Sequence, residues 1–147
     1  MYEKILVPLD GSPRAERILP YVEELAHAFK SKIYLLQIIH PEFLDASVHG
    51  YPAMIYQELL HEMNSEAEKY LAVIQGEFRE KGIDSEIIIE QGASVNIIIT
   101  LAEQENVDLI AMTSHGRSAL TRFFYGGVAS GVLNRANRPV LIIRADD

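Results

Sequence analysis

The chain has 147 residues, 48% of them hydrophobic, with 21 acidic against 13 basic side chains and a formal net charge of −8. That length and apolar content fit one globular domain spanning 1–147 and exclude a disordered chain. The acidic balance works against duplex nucleic acid and anionic membrane surfaces as partners. The absence of cysteine excludes disulfides, thiolate nucleophiles and thiolate metal sites.

Met1-Tyr2-Glu3-Lys4 leads straight into a strand-like run, without the pattern of a secretory leader. No stretch approaches the roughly 18 apolar residues of a membrane span, so a soluble, cytoplasmic protein is expected. Lys4 to Leu9 (KILVPL) reads as a strand buried on both faces. Asp10-Gly11 ends it, Ser12 is placed to cap the next helix, and Pro13 suits a first turn. Ile18, Val22, Leu25, Ala26 and Phe29 recur at helical spacing, and Pro20 inside that pattern predicts a kink or a lost hydrogen bond. Lys32 to Ile39 (KIYLLQII) is a second strand, followed by a His40–Ile55 segment too long for a plain connection. Leu59, Met63, Ala67, Tyr70, Leu71, Ile74 and Phe78 mark a long amphipathic helix that Gly82 ends. Met63, Tyr70 and Phe78 are assigned to its core face.

Ser85 to Glu90 is a third strand. Val95 to Thr100 (VNIIIT) has strand propensity, but a parallel crossover is needed here, so Ser94 to Glu105 is read as a helix capped by Ser94. Val107 to Met112 is a fourth strand, Gly126 to Arg135 a helix, and Pro139 to Ile143 (PVLII) a fifth strand. This alternation implies right-handed crossovers and a doubly wound parallel sheet, an α/β fold with its ligand site outside the carboxyl ends of the strands.

The fourth strand runs into Thr113-Ser114-His115-Gly116, then a loop carrying Arg117 and Arg122, then Gly126-Gly127 opening a helix. Backbone N–H groups and the positive end of a helix dipole make such a loop an anion cradle. The same glycines also serve as plain turns and the arginines as solvated charges; the residues alone leave both open. No phosphate loop of the Gly-x4-Gly-Lys type, dinucleotide fingerprint or nucleophile elbow is present. His40, His49 and His61 lack metal-ligand spacing and read as surface histidines. His115 is either a phosphate neighbour or a turn residue, and Asp10 either a ligand contact or a turn-fixing acid.

KILVPLDGS at the start, QGASVNIIITLA in the middle and DLIAMTSHGRS-x8-GG-x9-RPVLIIR at the end together resemble the universal stress protein family over essentially the whole chain. The resemblance implies an open sheet of five parallel strands in order 3-2-1-4-5, of the adenine nucleotide alpha hydrolase-like kind. It implies an adenine nucleotide, ATP first among ATP, ADP, AMP and cyclic AMP, with Mg²⁺ as an accompanying ion. By the same resemblance Pro8, Leu9 and Asp10 flank sugar and base, Ile38 packs on the base, and Met112 borders the pocket. Thr113, His115, Gly116, Arg117, Gly126, Gly127, Val128 and Ala129 belong to the phosphate side, with the backbone N–H groups of Gly116 and Gly126 as donors.

Three positions depart from the family signature. Thr113 replaces its first glycine, Gly127 stands where a hydroxyl residue belongs, and Ala129 lacks a second hydroxyl. Each lost hydrogen bond to a charged phosphate weakens binding by about 1.5–3 kcal/mol, so a loosened triphosphate grip is expected. The apolar terminal strand Pro139–Ile143 is an exposed edge unless covered, and a homodimer through it is expected, against shielding by the charged Arg144–Asp147 tail. The functional expectation is a stress-response sensor or regulator that binds an adenine nucleotide without efficient catalysis. The competing expectation is a dimeric interaction module with a degenerate pocket and an unknown protein partner. A flavoprotein relative shares the open-sheet logic but lacks a second cofactor platform.

Overall fold

Five apolar runs lie side by side in the computed structural model, which describes residues 1–41, 52–115 and 126–145. They are β1 (Lys4–Leu9), β2 (Lys32–Ile39), β3 (Asp84–Gln91), β4 (Leu109–Thr113) and β5 (Val140–Ile143), paired in the order β3-β2-β1-β4-β5. All pairs are parallel, with Lys4 opposite Lys32, Ile5 opposite Leu109 and Ile110 opposite Val140. The chain moves outward from β1 to β3, then returns to the other side of β1 for β4 and β5. The strand order therefore reverses between β1 and β4, where an open sheet leaves its crevice.

Parallel strands buried on both faces need helices on both sides. On one face Ile5, Val7, Leu9, Ile33 and Leu35 pack with Val22 and Ala26 of α1 (Leu19–Phe29) and Leu71, Ile74 and Phe78 of α2 (Ala53–Glu80). On the other, Leu6, Tyr34, Leu36 and Ile110 pack with Ile98 and Leu101 of α3 (Ser94–Gln104) and Val132 of α4 (Gly127–Arg135). Alternate residues of each strand thus serve opposite layers. Each fully buried Leu or Ile contributes about 1.5–3 kcal/mol through removal of apolar surface from water.

Helix starts differ from expectation in two places. Pro20 does not kink a helix: a 3-10 turn over Ala15–Ile18 comes first and α1 begins at Leu19, which puts Pro20 where no backbone donor is required. Ser12 is not the N-cap of that turn, which is Arg14, though its Oγ accepts the Ala15 N–H at 3.1 Å. Ser94 is not a cap. The N-cap of α3 is Ala93, and Ser94 is the first helical residue. The VNIIIT stretch is helical, as the crossover demands, despite its β-branched content.

α2 runs for 28 residues, so it takes in the end of the His40–Ile55 segment; residues 42–51 lie outside the described residues. Gly82 follows it with φ +75°, a backbone conformation that L side chains adopt at a cost. No helix among the described residues is long and apolar enough to cross a membrane.

Candidate functional site

The crevice beside the switch point is a cavity of about 630 Å³ that straddles the strand ends. That size lies within the range of small-molecule sites. From the α3/α4 layer it is lined by Leu36, Ile38, Ile98, Met112 and Ala129; from the α1/α2 layer by Leu9, Ala15, Gln37, Ala67 and Tyr70. Pro8, Asp10, Thr113, His115, Gly126, Gly127 and Val128 complete the lining predicted from sequence. Gly116 and Arg117, also predicted, lie outside the described residues, as does Arg122.

Asp10 follows β1 directly. Its Oδ1 accepts the Ser12 backbone N–H at 2.9 Å and the Ser12 hydroxyl at 2.6 Å, so it fixes the turn into the first helix while facing the cavity. Past β4 the chain bends through two buried polar residues, Ser114 and His115, which are 2% and 4% exposed. Ser114 N–H donates to the Ile143 carbonyl at 2.8 Å, and the Ser114 carbonyl accepts the Gly126 N–H at 2.9 Å. The Thr113 hydroxyl donates to the His115 carbonyl at 2.8 Å. These bonds fix the end of β4 against the start of α4.

Gly126 must be small. A Cβ there would stand 3.0 Å from the Ser114 carbonyl oxygen and 3.4 Å from the His115 ring. Its own N–H, expected to face phosphate, is committed to Ser114. The backbone N–H groups of the first turn of α4 are those of Gly127, Val128 and Ala129, and the Ser130 N–H bonds to the Gly126 carbonyl. Gly126, the N-cap, has no side chain to offer them.

The opposite wall was not legible in sequence. His40, expected on the surface, is half-buried at the end of β2 and lines the cavity, its Nε2 3.2 Å from the Ser94 hydroxyl. Met63 and Tyr70, expected as core, also reach the cavity, whereas Phe78 is core. Four side-chain polar atoms among the described residues are buried without a hydrogen-bond partner: Gln37 Oε1, Tyr70 hydroxyl, Ser85 Oγ and His115 Nε2. All but Ser85 belong to residues lining the cavity. Such orphans are uncommon in folded proteins and cost stability, and three of the four lie at this one hollow. Burial pushes the Tyr70 phenol well above its ordinary range, with the nearby carboxylates of Glu16 and Asp10 opposing its ionisation.

The whole-chain pattern has a counterpart among known families. The model of the universal stress protein family matches residues 1–144. This chain belongs to that family. A universal stress protein of Methanocaldococcus jannaschii, MJ0577, is 29% identical over 155 aligned positions, covering 98% of this chain and 96% of the relative. Its solved structure matches with a TM-score of 0.85 at 31% identity, over 100% of this chain and 99% of that one. YxiE of Bacillus subtilis is a universal stress protein 28% identical over 148 positions, covering 98% of this chain and 100% of its own. A family protein of Arabidopsis thaliana, solved with AMP bound, shares the fold at a TM-score of 0.69 and 17% identity, over 97% and 92% of the two chains. Another universal stress protein, solved in complex with cyclic AMP, does so at a TM-score of 0.63 and 23% identity, over 99% and 98%. The sheet order and the layers of helices on both faces of this universal stress protein are those its sequence predicted.

Proposed function

We propose that this universal stress protein binds an adenine nucleotide in the cavity at the strand ends and acts as a stress-response sensor or regulator. The observation that carries the reading is the pairing of an apolar slot, Ile38 and Met112, with the N-terminus of α4 at Gly127–Ala129 in one hollow. A flat base suits the first, and phosphate oxygens, which only accept hydrogen bonds, suit the second. Asp10, which lines the same hollow, is assigned to the ribose hydroxyls on the strength of the family resemblance. Gly116 and Arg117 join the phosphate side by their place in the motif. The bound AMP and cyclic AMP of the two relatives support the same ligand class. ATP with Mg²⁺ remains a candidate with a loosened grip, since Thr113 and Gly127 depart from the family signature.

Calorimetric titration with ATP, ADP, AMP and cyclic AMP, each with and without Mg²⁺, tests this. Saturable binding of at least one is expected; silence with all four would reject the reading. Thr113 and Gly127 favour one second reading, a dimeric interaction module whose pocket holds no nucleotide tightly.

The homodimer is proposed through β5. Ile110 N–H bonds to the Pro139 carbonyl and Ser114 N–H to the Ile143 carbonyl, so alternate residues face β4. The backbone groups of Val140 and Ile142 then face the open edge. Ile142→Pro removes an outward donor without touching the β4 ladder, and sedimentation should show dimer converted to monomer. A native chain that sediments as a monomer would reject the dimer.

A further inference from the structure

β3 is the outer strand on its side of the sheet, next to β2. Its register sets Gln91 beside Ile39, and the Gly92 N–H donates to the Ile39 carbonyl. In a parallel ladder this turns the backbone N–H and C=O groups of Glu86, Ile88 and Glu90 toward β2. Those of Ile87 and Ile89 then point to the outer edge. A side chain confirms the parity: Gln75 of α2 donates through Nε2 to the carbonyl of Ser85 at 3.1 Å, so that carbonyl faces away from β2.

Side chains follow the same alternation. Ile87 and Ile89 pack against the α1/α2 layer, and Ile88 against the other. Glu86 and Glu90, two residues to either side of Ile88, share its face and are exposed. That face reads acid, apolar, acid at every second residue. Lys32 of β2 shows what the pattern attracts from a neighbouring strand. It stands opposite Asp84 in the register, and its Nζ lies 3.9 Å from the Glu86 carboxylate.

The two outer strands differ in the partner they suit. β5 is apolar throughout and fits a second copy of itself. Two copies of β3 paired antiparallel about Ile88 would set Glu86 of one against Glu90 of the other, like charges directly opposite. A basic strand meets no such penalty, and the net charge of −8 favours its approach.

We propose that the β3 edge docks an extended segment of another protein carrying Lys or Arg at alternate positions around one apolar residue. The segment adds as a further strand. Its backbone pairs with Ile87 and Ile89, its apolar side chain covers Ile88, and its cations meet Glu86 and Glu90. Acid, apolar, acid reads the same from either end, so the edge accepts a segment running either way. The inference stands apart from the nucleotide reading and needs no occupant in the cavity.

The probe is a synthetic peptide with blocked ends, Thr-Lys-Thr-Val-Thr-Lys-Thr, titrated at low salt into the isotope-labelled full chain. Saturable shifts centred on the Ile87 and Ile89 amides are expected, with slowed hydrogen exchange there at saturation. Replacing both lysines of the peptide by glutamate should abolish binding. N-methylation along one edge of the peptide backbone should abolish it too, and methylation along the other edge should be tolerated. Glu86→Gln combined with Glu90→Gln should weaken binding about three- to ten-fold, the loss expected for two exposed ion pairs.

Equal binding of the glutamate peptide overturns the inference, as do shifts confined to other strands. Tolerance of methylation along both edges also overturns it, since charge alone would then hold the peptide. Silence at millimolar peptide leaves the carboxylates as guards against edge-to-edge aggregation and removes the docking site. If the double variant misfolds, the paired peptide controls on the native chain decide.

Discussion

The two walls of the cavity are built by different means. On the β4/α4 side, backbone supplies the chemistry: a bend fixed by Ser114 and His115, a glycine N-cap, and three helix N–H groups. On the β2/α2 side, side chains supply it, with Gln37, His40 and Tyr70 reaching in from elements far apart in sequence. A backbone cradle is rigid and reads charge. A wall of side chains can be altered one residue at a time, so the contrast separates what holds the occupant from what shapes it.

Substitutions on the backbone wall should have the larger effects. Gly126→Val pushes a branched side chain into the Ser114 carbonyl and the His115 ring, and should abolish nucleotide binding and lower stability by about 1–3 kcal/mol. Calorimetry and thermal unfolding check both, and unchanged affinity would place the ligand elsewhere. Gly127→Ser works the other way. A Cβ there meets nothing within 4 Å, so the hydroxyl enters open space and should tighten ADP roughly three- to ten-fold. Thr113→Gly added to it should tighten ATP further, at a cost in stability from the glycine placed in β4. If neither change alters affinity, the assignment of the phosphate side is wrong.

The opposite wall should respond more weakly. Tyr70→Phe removes a buried hydroxyl beside the Glu16 carboxylate and should change stability by about 1 kcal/mol or less near neutral pH. The native phenol ionises less readily folded than unfolded, because burial and the carboxylates of Glu16 and Asp10 oppose it. Its contribution is therefore intact below its ordinary value of 10.0 and is lost as pH rises above it. Denaturant melts from pH 9 upward should show native stability falling faster than that of Tyr70→Phe; parallel curves would contradict the environment assigned to Tyr70. His40→Ala, which removes its contact with the Ser94 hydroxyl, should change nucleotide affinity by about two-fold at most, in keeping with a half-exposed hydrogen bond.

The same contrast explains what the sequence disclosed. Strand runs such as KILVPL and KIYLLQII carry local patterns whose physical meaning survives without knowing the neighbours. The glycines at 126 and 127 left a plain turn and an anion cradle open, and the family resemblance supplied the choice on the β4/α4 wall. His40, Gln37 and Tyr70 acquire their positions only through the pairing of β2 with β1 and the docking of α2 across the sheet. Tyr70 sits at helical spacing with Leu71 and Ile74, and periodicity cannot distinguish a residue that fills the core from one that ends at a hollow beside it. Ser94 misled in a similar way. Its type and place suit a cap, yet its hydroxyl turns to a histidine 54 positions earlier. The helix start at Leu19, one residue before Pro20, was obscured by a 3-10 turn, whose hydrogen-bond pattern leaves little trace in composition.

Behind the cavity, Gly131 of α4 lies so close to α3 that a Cβ on it would stand 2.6 Å from Val95 Cγ2. Val95 is β-branched and stiff at χ1, and it adjoins Ser94 on the rim. A methyl group at Gly131 would therefore act as a shim between the two helices, forcing Val95 aside or prying the helices apart. The bore of the pocket is thus gauged by a residue that never meets its contents, and changes at that hidden joint could retune the fit while every lining side chain stays the same.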